Sequence, residues 1–407
     1  MKRRITPVTF HYMLITGGFW MGFCIVSAYA AVYLQGVGFS NAELGLILAL
    51  GSVGGAVLSP VLGAQIDRRP RLRHASVVTV LLLLQAVFLV LLRIHPRNDL
   101  FTAACYVLYM TAFAPVNAMN LDLDVRLERA GAPLNFGLAR STGSLAFMVI
   151  TTVLGVLTAR WGFLVLPWAG LGILVLQYLG NRIIDRDLAE VEKNLPPERD
   201  ASREAPASMA AFVRENRRFC LMLLGTVFLF TAHSMDGNFL INEVRHLGGD
   251  TAILGYVSAF TALVEVPVMI LASRLPKRWQ TVQYIRLSFV FFVFKLLAYA
   301  LAPSLPFFFA ARILQAPSYA LYTVLGVSYT DSQVARKDSA KAQSLVFSMT
   351  TIGSVAASLL GGALFDTIGV RSTMLTATAI AAVGAAIALA GTLKSKSQGA
   401  SVRSRAD

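Results

Sequence analysis

Six stretches of the chain run for more than twenty residues without one acidic or basic side chain: Ile5 to Ala42, Leu44 to Ile66, Leu100 to Leu121, Trp161 to Asn181, Ala342 to Phe365 and Ser372 to Leu393. A helix needs about 20 apolar residues to cross the hydrocarbon of a bilayer, and each stretch supplies them. Composition argues the same way. Of 407 residues, 56% are hydrophobic and 14% are charged, against about 25% charged in an ordinary soluble domain. So few charges cannot cover a water-soluble surface. The sequence predicts an all-α membrane protein and excludes both a soluble enzyme and a disordered chain.

Apolar windows between charged breaks place twelve transmembrane spans, near 9–34, 43–65, 75–93, 100–122, 135–158, 163–184, 219–241, 253–272, 283–302, 306–329, 343–364 and 372–393. The first is too long for the apolar core of a signal peptide and lacks a small-residue cleavage pattern, so it is kept as a span. Residues 185–218 hold Pro196, Pro197, Pro206 and many charges, which suits a solvated linker carrying some surface helix. The expected organisation is an N-terminal six-helix bundle over 1–184, a cytoplasmic central loop over 185–218, a C-terminal six-helix bundle over 219–393 and a cytoplasmic tail over 394–407. Two such halves are the pattern of repeat-built transporters.

Basic residues set the orientation. With the N-terminus inside, 27 of the 36 Lys and Arg residues fall on inside segments, and only Arg93, Arg97, Arg160, Arg245 and Arg371 fall outside. That asymmetry is the positive-inside signal of a multi-pass protein with both termini cytoplasmic. The net charge of +14 then faces anionic lipid head groups. Nucleic-acid binding would need the basic residues on one soluble module, and there is none. Cys24, Cys105 and Cys220 each stand alone in apolar sequence, so neither a disulfide framework nor a metal site is expected. Compact loops suggest a bacterial inner membrane.

Between spans 2 and 3 lies Gly63-Ala64-Gln65-Ile66-Asp67-Arg68-Arg69-Pro70-Arg71. It resembles the signature loop of the major facilitator superfamily: a glycine, aspartate-arginine, then further basic residues. That resemblance implies a gate in which Gly63 permits close helix approach and Asp67 pairs with a basic group or helix end, beside Arg68. Read without it, the segment is an ordinary basic turn. Pro70 stands where the superfamily usually has glycine. Phe136-Gly137-Leu138-Ala139-Arg140-Ser141-Thr142-Gly143 is similar to a stretch of the lactose permease family. In that family this arginine, an acidic residue eighteen positions earlier and an aromatic seven later bind substrate. The positions here are Arg140, Asp122 and Phe147. The other reading makes Asp122 and Arg140 helix-end residues snorkelling to the inner interface.

Ionisable groups inside the hydrocarbon are costly and mark function. His233 and Asp236 share a face of span 7, Glu265 lies on span 8, Lys295 in mid-span 9 and Arg312 on span 10. By depth Glu265 can meet Lys295 and Asp236 can meet Arg312, so each pair can stay charged in the interior. The second pair reads better as a tie between helices. Ala232-His233, Gly255-Tyr256-Val257 and Glu265-Val266 resemble the oligosaccharide and phenylpropionate-type proton symporters. That group has a glutamate here and a basic residue at the position of Lys295, more often arginine. Where the lactose permease family carries the span-10 histidine and glutamate of proton coupling, this chain has Gln315 and Ser318, so that role passes to Glu265, then Asp122 and His233. Span 10 shows a stripe of Arg312, Gln315, Tyr319 and Tyr322, and span 1 one of Tyr12, Thr16, Phe19, Phe23 and Ser27. Such stripes are more often packing than binding. Glycines on span 2 (Gly51, Gly54, Gly55) and span 11 (Gly353, Gly361, Gly362) read as close-packing surfaces.

The resulting expectation is a proton-coupled symporter of a small organic solute such as a sugar or oligosaccharide, a nucleoside or an aromatic acid. Solute would dock on Asp122, Arg140, Phe147, Lys295, Gln315 and Tyr319, with no cofactor beyond the proton gradient, in a monomer. Proton-antiport export by the same fold is the alternative. A sensor would need a folded soluble module, and an intramembrane hydrolase a nucleophile beside His233; neither is legible.

Overall fold

The computed structural model describes residues 6–68, 74–129, 136–192, 209–271, 280–335 and 338–393; the side chains at 67, 125, 128–129, 136–141, 188–192 and 340 lie outside that description. The expected tail over 394–407, the middle of the central loop and Arg69, Pro70 and Arg71 also lie outside the described residues. Regular structure among the described residues is helical. In lipid every backbone N–H and C=O must be satisfied within its own segment, and for charge-free runs helices do this.

The first rod is α1 (Pro7–Phe23), a π-helical turn (Cys24–Ala28) and α2 (Ala30–Val37). Pro7 sits in its first turn, where a missing N–H costs nothing, and the Thr6 hydroxyl accepts from the Thr9 amide. There follow α3 (Asn41–Arg68), α4 (His74–Ile94), α5 (Leu100–Arg129), α6 (Phe136–Trp161) and α7 (Val165–Glu192). Between α4 and α5, the Thr102 amide and the His95 ring hold the Asp99 carboxyl below its usual range. The second half comprises α8 (Met209–Glu215), α9 (Arg217–His246), α10 (Thr251–Leu271), α11 (Thr281–Ala300), a broken rod over 305–333, α14 (Ser339–Thr367) and α15 (Gly369–Thr392). The broken rod is α12 (Leu305–Ala311), a 3₁₀ turn (Arg312–Gln315), a π-helical turn (Ala316–Ala320) and α13 (Leu321–Gln333).

Ten helices among the described residues are long and apolar enough to span a membrane. The two expected spans beyond those ten are α7 and the broken rod. Gln177, Asn181 and Arg182 make α7 more polar. The sequence predicts one regular span over 306–329, and Pro317 prevents it, because proline has no N–H to donate and its ring crowds the carbonyl one turn back. Helix also reaches into the expected linker: α7 continues to Glu192, while α8 and the start of α9 fill 209–218.

Within the first seven helices α1 packs on α6 and α7, α3 on α5, and α4 on both α5 and α7. Later in the chain α9 packs on α14 and α15, and α11 on α15 and α13. The two sets meet through α3 with α14, α6 with α10 and α2 with α9. These meetings concentrate at one end of the bundle. A side chain on Gly155 would strike the Thr251 carbonyl and Gly255, and one on Gly45 would strike the Ser358 carbonyl, so backbone lies directly on backbone here. Asp366 caps α3, its Oδ1 accepting from Asn41 Nδ2 at 2.7 Å and its Oδ2 from the Ala42 amide at 2.7 Å. Asn41 Oδ1 accepts from Gln35 and Asn242, and Arg245 donates to Gln35 Oε1 at 2.6 Å.

Candidate functional site

The broken rod sets the site. The change of winding over 312–320 carries Arg312 and Gln315 into the interior, where they are 2% and 3% exposed. Lys295 reaches the same region from α11 and is fully buried. Its ammonium stands 3.0 Å from His233 Nδ1 on α9 and donates to Gln315 Oε1 at 3.0 Å. The other end of that amide donates from Nε2 to Glu265 Oε1, 2.8 Å away on α10. The expected meeting of Glu265 with Lys295 is therefore bridged: Gln315 stands between acid and base, its carbonyl toward the cation and its NH₂ toward the carboxylate. A primary amide can satisfy both partners at once.

An aromatic box surrounds this relay. The Tyr319 ring lies 4.6 Å from the His233 ring, centroid to centroid, and Phe292 lies 5.8 Å from it. Lys295 Nζ stands 4.8 Å from the centre of the Phe292 ring, a cation–π contact. Phe230 edges against His233 and also meets Tyr319 and Tyr322. Phe230 and Phe292 escaped the sequence reading because an aromatic in an apolar span carries no signal of what it faces.

Asp236 and Arg312 form the expected pair. Arg312 Nη1 donates to Asp236 Oδ2 at 2.9 Å, and Nη2 lies 2.8 Å from Oδ1. The guanidinium is also held between Tyr299 and Phe308, 4.1 and 4.4 Å from their ring centres. His233 and Asp236 do share a face of α9, but they serve different bases.

The first half contributes less. Asp122 is half-exposed near the end of α5 and bonds Arg126 Nε at 2.7 Å, one helical turn on, a partner the sequence reading did not name. The Arg140 backbone lies in the first turns of α6, and its side chain is outside the described residues. Phe147 lies 6.4 Å from Phe23. The span-1 stripe packs rather than lines a site: Phe19 stacks on Phe113 at 4.7 Å, and the Tyr12 hydroxyl donates to the Asn120 carbonyl. Among the described residues, a side chain on Gly63 would meet nothing within 4 Å. Arg68 is exposed, and the Asp67 side chain lies outside the described residues. The expected close-packing surfaces exist elsewhere: Gly51 and Gly54 lie on Met110 and Thr111 of α5, and Gly361 and Gly362 on Phe239 and Asn41.

Ionisable groups paired in the interior of an all-helical bundle are what a membrane transporter needs along its path. The chain belongs to the MFS_1 like family, whose model matches residues 12–376. It is 26% identical over 370 residues to a maltose permease of Geobacillus stearothermophilus, covering 89% of this chain and 88% of the relative. It is 24% identical to a Deinococcus radiodurans protein named for sugar efflux (85% and 88% covered) and 22% identical to an Escherichia coli protein named for 3-phenylpropionic acid transport (74% and 76% covered). The fold matches the crystal structure of the nucleoside transporter NupG with a TM-score of 0.69 over 96% of this chain and all of that one, at 13% identity.

Proposed function

We propose that the chain is a proton-coupled symporter of a small organic solute, a sugar or oligosaccharide, a nucleoside or an aromatic acid, working by alternating access in a bacterial inner membrane. The observation that carries this reading is the relay Lys295–Gln315–Glu265, a half-buried acid and a buried base joined by one amide that a solute can displace. The charge asymmetry of the loops assigns the end closed by Asp366, Asn41 and Gly155 to the outside. On that assignment the two halves, 1–184 and 219–393, rock about the midplane, and the present conformer is sealed outward.

In this scheme Glu265 takes a proton while the relay faces out. Solute hydroxyls or a carboxylate then compete for Lys295 and Gln315, with Tyr319 and His233 offering ring faces, and Asp122, Arg140 and Phe147 completing the site from the first half. After the halves rock, Lys295 swings back toward Glu265 through Gln315 and favours release of the proton inward. Names of relatives that carry maltose and 3-phenylpropionic acid support the solute range. The test is proton uptake by proteoliposomes across sugars, nucleosides and aromatic acids, with wild type beside Glu265→Gln. A solute that alkalinises the medium only when Glu265 is intact supports the reading; equal transport by both proteins without a proton signal overturns it. A second reading, export by proton antiport, is favoured by the relative named for sugar efflux. It predicts solute moving against, rather than with, an imposed proton gradient.

A further inference from the structure

Glu243 stands outside every role assigned above. It sits on α9 seven residues after Asp236, beyond a kink at Phe239, where φ is −119° and ψ 16°. The residue is 3% exposed, and among the described residues neither carboxyl oxygen has a hydrogen-bond donor. A bare carboxylate buried without a donor is among the costliest arrangements a membrane interior can hold. The charged groups that act on it are Asp236 on the same helix, with Arg312 and Lys295 from the broken rod and α11. Asp236 Oδ1 also lacks an aligned donor, because Arg312 Nη2 is close to it but poorly directed. Two acceptors without a donor, next to each other, are one proton short.

Glu243 also lines a cavity of about 400 Å³ at the closed end of the bundle, together with His246, Tyr299, Phe308, Arg371 and Met374. Its wall includes Leu301, Ala302 and Pro303 of the α11–α12 turn, so the cavity lies at the end of the helices and apart from the relay at Gln315. We propose that Glu243 is a second proton-binding site, carried as the acid, sharing its proton with Asp236 Oδ1 and exchanging it through this cavity from the end sealed by Asp366. The site deepens the proton-coupled reading but does not require it: a shared proton can be purely structural if the cavity never opens inward.

Carbodiimides react with buried protonated carboxyls, so purified wild-type protein in detergent at neutral pH is treated with a carbodiimide and mapped by mass spectrometry. Difference infrared spectra of the carboxylic-acid carbonyl stretch are recorded for wild type, Glu243→Gln and Glu265→Gln. The expected result is an adduct on Glu243, loss of the acid band in Glu243→Gln, its retention in Glu265→Gln, and slower labelling in Met374→Trp, which fills the cavity. Absence of the adduct, or a band indifferent to Glu243→Gln, overturns the proposal. Should Glu243→Gln not fold, wild-type labelling alone decides. Neither readout involves transport, so a labelled Glu243 with no solute-driven proton uptake sinks the symport reading and leaves this one standing.

Discussion

Replacing Arg312 with leucine tests the energetics of the buried pair most directly. Its guanidinium lies 2.8 Å from Asp236 Oδ1, with both side chains under 5% exposed. At an effective dielectric constant of about 20 the pair's Coulomb attraction is roughly 6 kcal/mol. Desolvating two ions costs several kcal/mol each, so the intact pair contributes little net stability, whereas removal of one partner destabilises by about 3–5 kcal/mol. Arg312→Leu leaves Asp236 and Glu243 as two neighbouring acids without their cation, and it also ends the contacts with Tyr299 and Phe308. The single variant should therefore unfold with a loss of about 4 kcal/mol, and Arg312→Leu with Asp236→Leu should recover most of it. Asp236→Asn should be milder than Arg312→Leu, because Glu243 remains beside Arg312 to act as its counter-ion and the two rings still hold the cation. Reversible denaturant titration in mixed micelles, followed by far-ultraviolet circular dichroism, measures all four proteins. If Arg312→Leu lies within about 1 kcal/mol of wild type, or the double variant is no better than the single, the pair is not the buried, mutually dependent unit described here.

Gln315→Leu keeps the volume of the relay and removes both of its hydrogen bonds. With about 1.5–3 kcal/mol at stake for a bond to a charged group, solute counterflow should fall roughly 10- to 100-fold, while Gln315→Glu, which also pairs with Lys295, should keep binding and lose proton dependence. Gly45→Leu places a side chain against the Ser358 carbonyl, which should wedge α3 from α14. Thiol labelling of a cysteine introduced at Asn242 should then rise, and unchanged labelling would mean that the closed end tolerates the added volume.

Much of the fold was legible because lipid allows few solutions. Charge-free runs located the helices, and the ten that meet the span criteria all fall on expected segments. Legibility failed where the backbone leaves regular winding: nothing in the sequence marks the π-helical turn at Cys24–Ala28, and Pro317 marks a break without saying that Arg312 and Gln315 would both point inward. At the site, ionisable residues were easy to find because each is anomalous in an apolar run, and Asp236 with Arg312 followed from depth alone. The role of Gln315 as a bridge was not readable, since an amide has no charge to betray its partners. Glu243 was passed over because it lies three residues from the end of α9, where a carboxylate ordinarily reaches water. The cavity it lines is walled by the turn between α11 and α12 and by α15, segments far away in sequence.

The distribution of charge between the halves constrains how coupling can work. Interior hydrogen bonds of the first half are largely from neutral groups to carbonyls: Tyr12 to Asn120, Tyr29 to Thr151, Tyr33 to Leu92. The second half gathers Asp236, Glu243, Glu265, Lys295 and Arg312 in one connected region. With Glu243 carried as the acid, that region holds two cations and two anions and is neutral. An interior of low dielectric strongly resists a net charge, so anything that alters one member must be balanced. An anionic solute that takes Lys295 from the relay leaves Glu265 without its cation, and a proton on Glu265 restores neutrality. A neutral sugar that displaces only the Gln315 amide removes no charge and imposes no such demand. On this arrangement an organic acid should therefore be coupled to protons more tightly than a sugar. The ratio of proton to solute uptake in proteoliposomes, compared between an aromatic acid and a disaccharide, would separate a relay that works by charge balance from one that works by hydrogen bonding alone.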